Sequence, residues 1–114
     1  MHILFVCGRN RSRSPTAERL FDGVCGVEAR SAGVSPDADE PLTADLIEWA
    51  ELIFVMESTH RAKMNRAFGN TLRGRRIVNL DVPDQFNFVD PELIQVLWDR
   101  VPRSVPALAA AKPS

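Results

Sequence analysis

The sequence predicts an α/β fold: a three-layer sandwich in which a four-stranded parallel sheet carries helices on both faces. Two observations lead there. Short apolar runs alternate along the chain with segments whose apolar residues recur at helical spacing, giving the order β-α-β-α-β-α-β-α. The first and third of these runs are apolar almost throughout, which suits strands covered on both sides. At 114 residues with no break in composition, the chain reads as one domain able to bury a real core.

The first strand is HILFV, residues 2–6. After a basic loop, SPTAERLFDGV (14–24) reads as a helix. Ser14 is placed to cap it, Pro15 suits its first helical position, and Ala17, Leu20, Phe21 and Val24 share one face. VEARSAG (27–33) alternates and ends at Gly33, a second strand. SPDADEP (35–41) is a polar loop with two prolines. LTADLIEWA (42–50) is a helix with Thr43 as a cap, and ELIFVME (51–57) is the third strand. STHRAKMNRAFG (58–69) is a helix with Ser58 as its cap candidate and Gly69 as its terminator. RRIVNLD (75–81) is the fourth strand and VPDQFNFV (82–89) the loop after it. DPELIQVLWDRV (90–101) is a helix with an Asp cap, proline at its first position, and a stripe of Leu93, Val96, Leu97 and Val101. The domain is expected to span 1–101. Residues 102–114, rich in proline and alanine, are expected to be a mobile tail.

Charge and cysteine content narrow the function. A net charge of −1 argues against a broad nucleic-acid surface, so any basic site must be local. No apolar run is long enough to span a bilayer, and the opening run is too short for a signal segment. Cys7 and Cys25 do not make a disulfide framework, and no Cys/His cluster has metal-ligand spacing. The expectation is a cytoplasmic protein with reduced thiols, binding neither nucleic acid nor membrane.

The local basic site is VCGRNRSRSP, residues 6–15, at the exit of the first strand. In parallel α/β sheets, ligands bind beyond the carboxyl ends of the strands. A loop entering a helix there presents free N–H groups and the positive end of the helix dipole, a site for an anion. The loop is neither a Walker A sequence nor a dinucleotide fingerprint. Cys7 opens it and Arg13 follows six residues later. Convergent N–H groups and a guanidinium favour the thiolate of a cysteine they face, which is the nucleophilic form. Arg13 can take two oxygens of a phosphate in bidentate fashion. Gly8, Arg9, Asn10, Arg11, Ser12 and Ser14 are the candidate substrate-binding positions around this pair.

At these residues the chain resembles the low-molecular-weight protein tyrosine phosphatase family. The family loop V-C-x-G-N-x-C-R-S-P-x-A-E stands here as VCGRNRSRSPTAE, matching at Cys7, Asn10, Arg13, Ser14, Pro15, Ala17 and Glu18. RSAGV (30–34) resembles the family's S-A-G-[TV], ADLIEWAELIFVMESTH (44–60) its A-D-L-I-x-x-M-x-x-x-[HN], and NLDVPDQF (79–86) its closing x-P-D-P-[YFW] loop. The resemblance implies strand order 2-1-3-4 and hydrolysis in two steps. Cys7 attacks a phosphomonoester to form a cysteinyl-phosphate, and water then hydrolyses it. No metal or cofactor is implied. The implied partner is a phosphorylated substrate, either a phosphoprotein or a small phosphomonoester. Asn10 would shape the loop in a left-handed conformation, and the Ser14 hydroxyl would hydrogen-bond the thiolate.

The chain also departs from that pattern. Ser12 replaces the family's second loop cysteine, so the protective disulfide of some relatives is not available in that form. Cys25 is either a substitute for it or a plain thiol at the end of the first helix. Arg9 replaces a glycine, with Gly8 next to Cys7. Arg9 and Arg11 are either solvated loop charges or a basic pocket mouth that favours acidic substrates. Residues 34–41 supply no aromatic wall for a phosphotyrosine ring, Trp49 is expected in the core, and Phe86 is the aromatic left to line the cleft.

A general acid must protonate the leaving group. Asp84, in VPDQF, is the leading candidate. Asp90 is accounted for by capping, and Asp81 ends the fourth strand. His2 and His60 receive no role, His60 being expected on the surface. Two other functions compete. Arsenate reductases share this loop but use additional redox cysteines later in the chain, where none stands here. A non-catalytic phosphate- or phosphoprotein-binding module would need no nucleophile.

Overall fold

The computed structural model describes residues 1–113. Its elements follow the expected order: β1 (His2–Cys7), α1 (Arg13–Phe21), β2 (Glu28–Gly33), α2 (Ala44–Trp49), β3 (Leu52–Val55), α3 (Ser58–Phe68), β4 (Arg76–Asn79) and α4 (Pro91–Arg100). The sheet is parallel throughout, in the order β2-β1-β3-β4.

The strands are covered on both faces, as their apolar runs require. Ile3, Phe5 and Cys7 of β1 point with Leu52 and Phe54 of β3 toward α1 and α4, where they meet Ala17, Phe21, Leu93 and Leu97. The alternate residues Leu4, Val6, Ile53 and Val55 pack under α2 and α3 against Ile47 and Met64. This period of two places the Cys7 thiol on the α1 side of the sheet. Phe5 anchors that side, stacked on Phe21 and Phe54 with ring centroids 5.8 and 5.4 Å apart. Truncating a fully buried phenylalanine such as Phe5 costs about 3–5 kcal/mol.

Of the segment set apart as a tail, residues 102–112 are built into the fold, and Ser114 lies outside the described residues. Val101–Arg103 and Pro106–Ala111 form short 3₁₀ turns. Val105 and Leu108 are buried in the cluster under α1 and α4, and Lys112 bonds Asp99 at 2.6 Å. Proline excludes an ordinary helix here, but it does not prevent the apolar side chains from packing.

Capping differs from expectation at two helices. Thr43 and Asp90 cap α2 and α4 by accepting from Leu46 N–H and Glu92 N–H. The cap position of α1 is Ser12, which makes no side-chain cap bond, because the Ser14 hydroxyl is engaged elsewhere. The cap of α3 is Glu57, one residue before Ser58. The Glu57 carbonyl accepts from the His60 N–H at 3.0 Å while the His60 ring accepts from the Glu57 N–H at 3.1 Å, a capping-box arrangement closed by the ring.

Candidate active site

The loop from Gly8 to Ser12 joins β1 to α1 at the carboxyl end of the sheet. Asn10 takes φ 57°, the left-handed conformation anticipated for it. That turn brings the Asn10 N–H back to Cys7 Sγ at 3.3 Å, while its side-chain amide donates to Ser14 Oγ at 3.0 Å. Ser14 Oγ lies 2.9 Å from Cys7 Sγ. The thiol is therefore met from the first turn of α1 by a hydroxyl and from the loop by a backbone N–H. Both are positioned to stabilise negative charge on sulfur.

The loop rests on the segment after β2. Val34, Ser35 and Asp39 N–H groups donate to the carbonyls of Cys7, Gly8 and Arg9 at 3.0, 2.9 and 3.1 Å. This close approach requires Gly33, where a Cβ would stand 2.5 Å from the Gly8 carbonyl oxygen. Side chains repeat the pairing. Arg9 lies 3.7 Å from Asp37 and Arg11 3.4 Å from Asp39. Two arginines spaced by two thus face two aspartates with the same spacing. The Ser35 hydroxyl, which donates to Asp37, and then the Arg9 guanidinium hold the Asp37 carboxyl below its usual range.

A cleft of about 570 Å³ opens above the loop. The buried Cys7 and Arg13 line its floor with Gly8 and Ser12, and Arg9, Arg11, Ser35 and Asp84 line it as well. Asn10 and Ser14 lie beneath this floor and act on the thiol from behind. Arg13 is buried, with its side chain 5% exposed. Its Nη1 donates to Glu57 and to the Val82 carbonyl, the latter at 2.7 Å, and its Nε lies 3.8 Å from Asp84.

Of the three acid candidates, Asp84 alone lines this cleft. Asp90 caps α4. Asp81 takes φ 53°, bonds with Asn79 and lines a separate depression beside Arg100. The Asp84 loop is pinned at both ends, by Val82 N–H on the Met56 carbonyl at 2.7 Å and by Val89 N–H on Thr16 Oγ1 at 2.9 Å.

The structure brings in residues that sequence reasoning did not assign. Glu57, Lys63 and His60 line the cleft from the first turns of α3. His60 is buried rather than on the surface, because its ring closes the capping box beneath the cleft wall. Burial first, and then the Arg13 charge, lower its pKa from 6.5 to about 4, so the ring is neutral at ordinary pH. The available signal was Glu57 and His60 standing three apart at the end of the third strand, where a helix begins. Among the described residues no Phe or Trp lines the cleft. Phe86 packs against the core instead, and Trp49 stacks on His2 and Arg30 near the opposite end of the sheet. Cys25 is exposed in the turn after α1 and is not among the cleft-lining residues.

A buried thiol met by the first turn of a helix, with an arginine and a carboxylate lining the same open cleft, defines the candidate site of this α/β protein. Residues 2–63 match the model of the low molecular weight phosphotyrosine protein phosphatase family, and the chain belongs to that family. A protein-arginine-phosphatase of Bacillus subtilis (strain 168) is 34% identical over an alignment covering 60% of this chain and 64% of that protein's length. The structure resembles the YwlE arginine phosphatase in a C7S mutant with a phosphorylated active-site serine: TM-score 0.67, 25% identity, 93% of this chain and 96% of that one covered. It also resembles the fold of the tyrosine phosphatase Wzb from Escherichia coli K30 in complex with phosphate: TM-score 0.73, 24% identity, coverage 94% and 97%.

Proposed function

We propose that this protein hydrolyses phosphorylated protein side chains through a cysteinyl-phosphate on Cys7. The observation that carries the reading is the Cys7 thiol held by Ser14 Oγ and the Asn10 N–H on the floor of the cleft that Arg13 also lines. Cys7 Sγ attacks phosphorus, the S–P bond forms, and the bond to the substrate side chain breaks. The departing atom takes a proton from Asp84. Water then attacks phosphorus and gives its proton to the Asp84 carboxylate; the new O–P bond forms as the S–P bond breaks, releasing phosphate and the Cys7 thiolate. The Ser14 hydroxyl stabilises the departing thiolate. Loop N–H groups and Arg13 hold the non-bridging oxygens through both steps. The phosphorylated active-site serine of the YwlE mutant supports a covalent intermediate at this position. The arsenate-reductase reading loses ground to the lack of a second cysteine at the cleft.

The test is Cys7→Ser in the full chain, assayed on aryl phosphate and phosphopeptides. Hydrolysis is expected to vanish while orthophosphate binding persists. A Cys7→Ser protein as active as the parent sinks the mechanism, and persistent binding by an inactive parent would instead favour a phosphate-binding module.

A narrower substrate reading is favoured by the cleft wall. Phosphotyrosine needs an apolar surface for its ring, and this cleft offers guanidinium, ammonium and carboxylate groups, with His60 as its sole ring among the described residues. Phosphoarginine is a flexible, polar substrate whose guanidinium suits the carboxylates Glu57 and Asp84. The 34% identical arginine phosphatase points the same way. Matched peptides carrying phosphoarginine, phosphotyrosine and phosphoserine decide it by kcat/KM; a tenfold or larger preference for phosphotyrosine would overturn this choice.

A further inference from the structure

His60 is not part of the loop motif, yet its ring is built into the same cleft. The Glu57 N–H donates to His60 Nδ1 at 3.1 Å. In the neutral ring that bond leaves the hydrogen on Nε2. Nε2 stands 3.7 Å from where a Cβ on Gly8 would sit, so this edge of the ring faces the floor beside Cys7. The residue is 5% exposed. Among the described residues Nε2 has no protein hydrogen-bond partner, while every buried side-chain nitrogen or oxygen has one. The unpartnered N–H therefore opens onto the cleft.

We propose that His60 Nε2–H is a substrate-contacting donor to the phosphoryl group held over Cys7, supplied from α3 to complete the cradle begun by the loop. The inference rests on the reading that the cleft holds a phosphoryl group. The donor acts as a neutral N–H and transfers no proton. Four charged groups bear on the ring: Arg13 of α1, Glu57 and Lys63 at α3, and Asp84 of the far loop. Burial together with Arg13 and Lys63 outweighs the two carboxylates, so the ring meets an anion as imidazole rather than imidazolium.

Two substitutions separate this role from capping. In His60→Asn the amide oxygen reproduces the Nδ1 acceptor, so the cap survives and the cleft donor is lost. In His60→Gln the amide nitrogen reproduces the Nε2 donor and the cap bond is lost. Orthophosphate binding is measured by calorimetry on the full chain at neutral pH, with thermal melts of each variant. His60→Asn is expected to weaken orthophosphate about tenfold with little change in Tm, as loss of a hydrogen bond to a charged group should. His60→Gln is expected to melt lower and to bind within about threefold of the parent. Parental affinity in His60→Asn, or affinities that simply follow Tm, would reduce His60 to a capping residue. NMR of the ring nitrogens in the parent gives a second reading that needs no variant. The Nε2 resonance should move at saturating orthophosphate. An unmoved resonance in a protein that binds orthophosphate overturns the His60 assignment alone, and a parent that binds none overturns the cradle itself.

Discussion

The Arg13 guanidinium and the Glu57 carboxylate form an ion pair on the floor of the cleft, joining the first turn of α1 to the N-cap of α3. A buried arginine left without a partner is costly, and its fork can aim at a phosphate only if something holds it. Glu57 does both. Glu57→Gln keeps an acceptor and removes the charge, so kcat/KM should fall about tenfold. Glu57→Ala also leaves Arg13 short of a partner, and should lower kcat/KM about a hundredfold and stability by roughly 2 kcal/mol. Steady-state kinetics with urea melts check this; an unchanged Glu57→Ala would show that the Val82 carbonyl suffices to hold Arg13.

Asp84 should act mainly on poor leaving groups. Asp84→Asn removes the transferable proton while keeping the side chain's shape. Turnover of an alkyl phosphate is expected to fall about a hundredfold or more, and that of p-nitrophenyl phosphate less than about tenfold. Asp90→Ala should instead cost about 1 kcal/mol of stability through the lost cap and leave turnover unchanged. A Brønsted plot over leaving groups checks the assignment, since a parallel drop for all of them would move the acid elsewhere.

The part of the site carried by one loop was legible in the sequence. Cys7, Asn10, Arg13 and Ser14 act on one another within a few residues, so spacing at a strand exit carries their geometry. Glu57 and His60 reach the same cleft only because β3 lies beside β1, putting the end of β3 next to the loop. Nothing in their local spacing states that adjacency, and a capping box is reason enough for their presence. The same locality explains the Ser14 and tail results. Ser14 suits a cap by pattern, but its hydroxyl is taken by Cys7 and Asn10. The final segment carries helix breakers, yet its place depends on Leu108 finding the α1–α4 cluster. Strand order followed from the resemblance, and the alternating runs alone required only a covered parallel sheet.

Arg9 and Arg11 line the cleft while paired to Asp37 and Asp39. The pairs are solvent-exposed, and each contributes less than about 1 kcal/mol to stability. Their larger effect is to offset positive charge at the mouth. Asp37→Asn combined with Asp39→Asn should lower KM for phosphopeptides with acidic flanks about threefold at low ionic strength, and this gain should disappear near 0.5 M salt. Initial rates across a salt series test it. A salt-independent change would point to movement of the loop rather than to its field.

His60 gives stability a defined pH dependence. Its pKa is about 4 in the folded protein and 6.5 when unfolded, because burial and Arg13 oppose its charge. Above pH 6.5 the ring is neutral in both states and costs nothing. As pH falls from 6.5 toward 4 the unfolded chain takes up a proton that the folded one refuses, so stability declines and the full loss is present below 4. The loss is on the order of 3 kcal/mol. The lowered carboxyls of Asp37 and Asp99 act in a different window. The ordinary value of such a carboxyl is 3.8, and their contribution is lost only as pH falls below that. The interval between 6.5 and 4 therefore belongs largely to His60 among the groups with displaced pKa values. His60→Asn, which cannot titrate, should give a flatter stability curve across that interval and approach the parent's slope below it. Urea unfolding at half-unit pH steps measures this. Equal slopes for parent and variant between pH 6.5 and 4 would mean that the ring charges freely within the fold, and that Arg13 and burial do not hold it neutral.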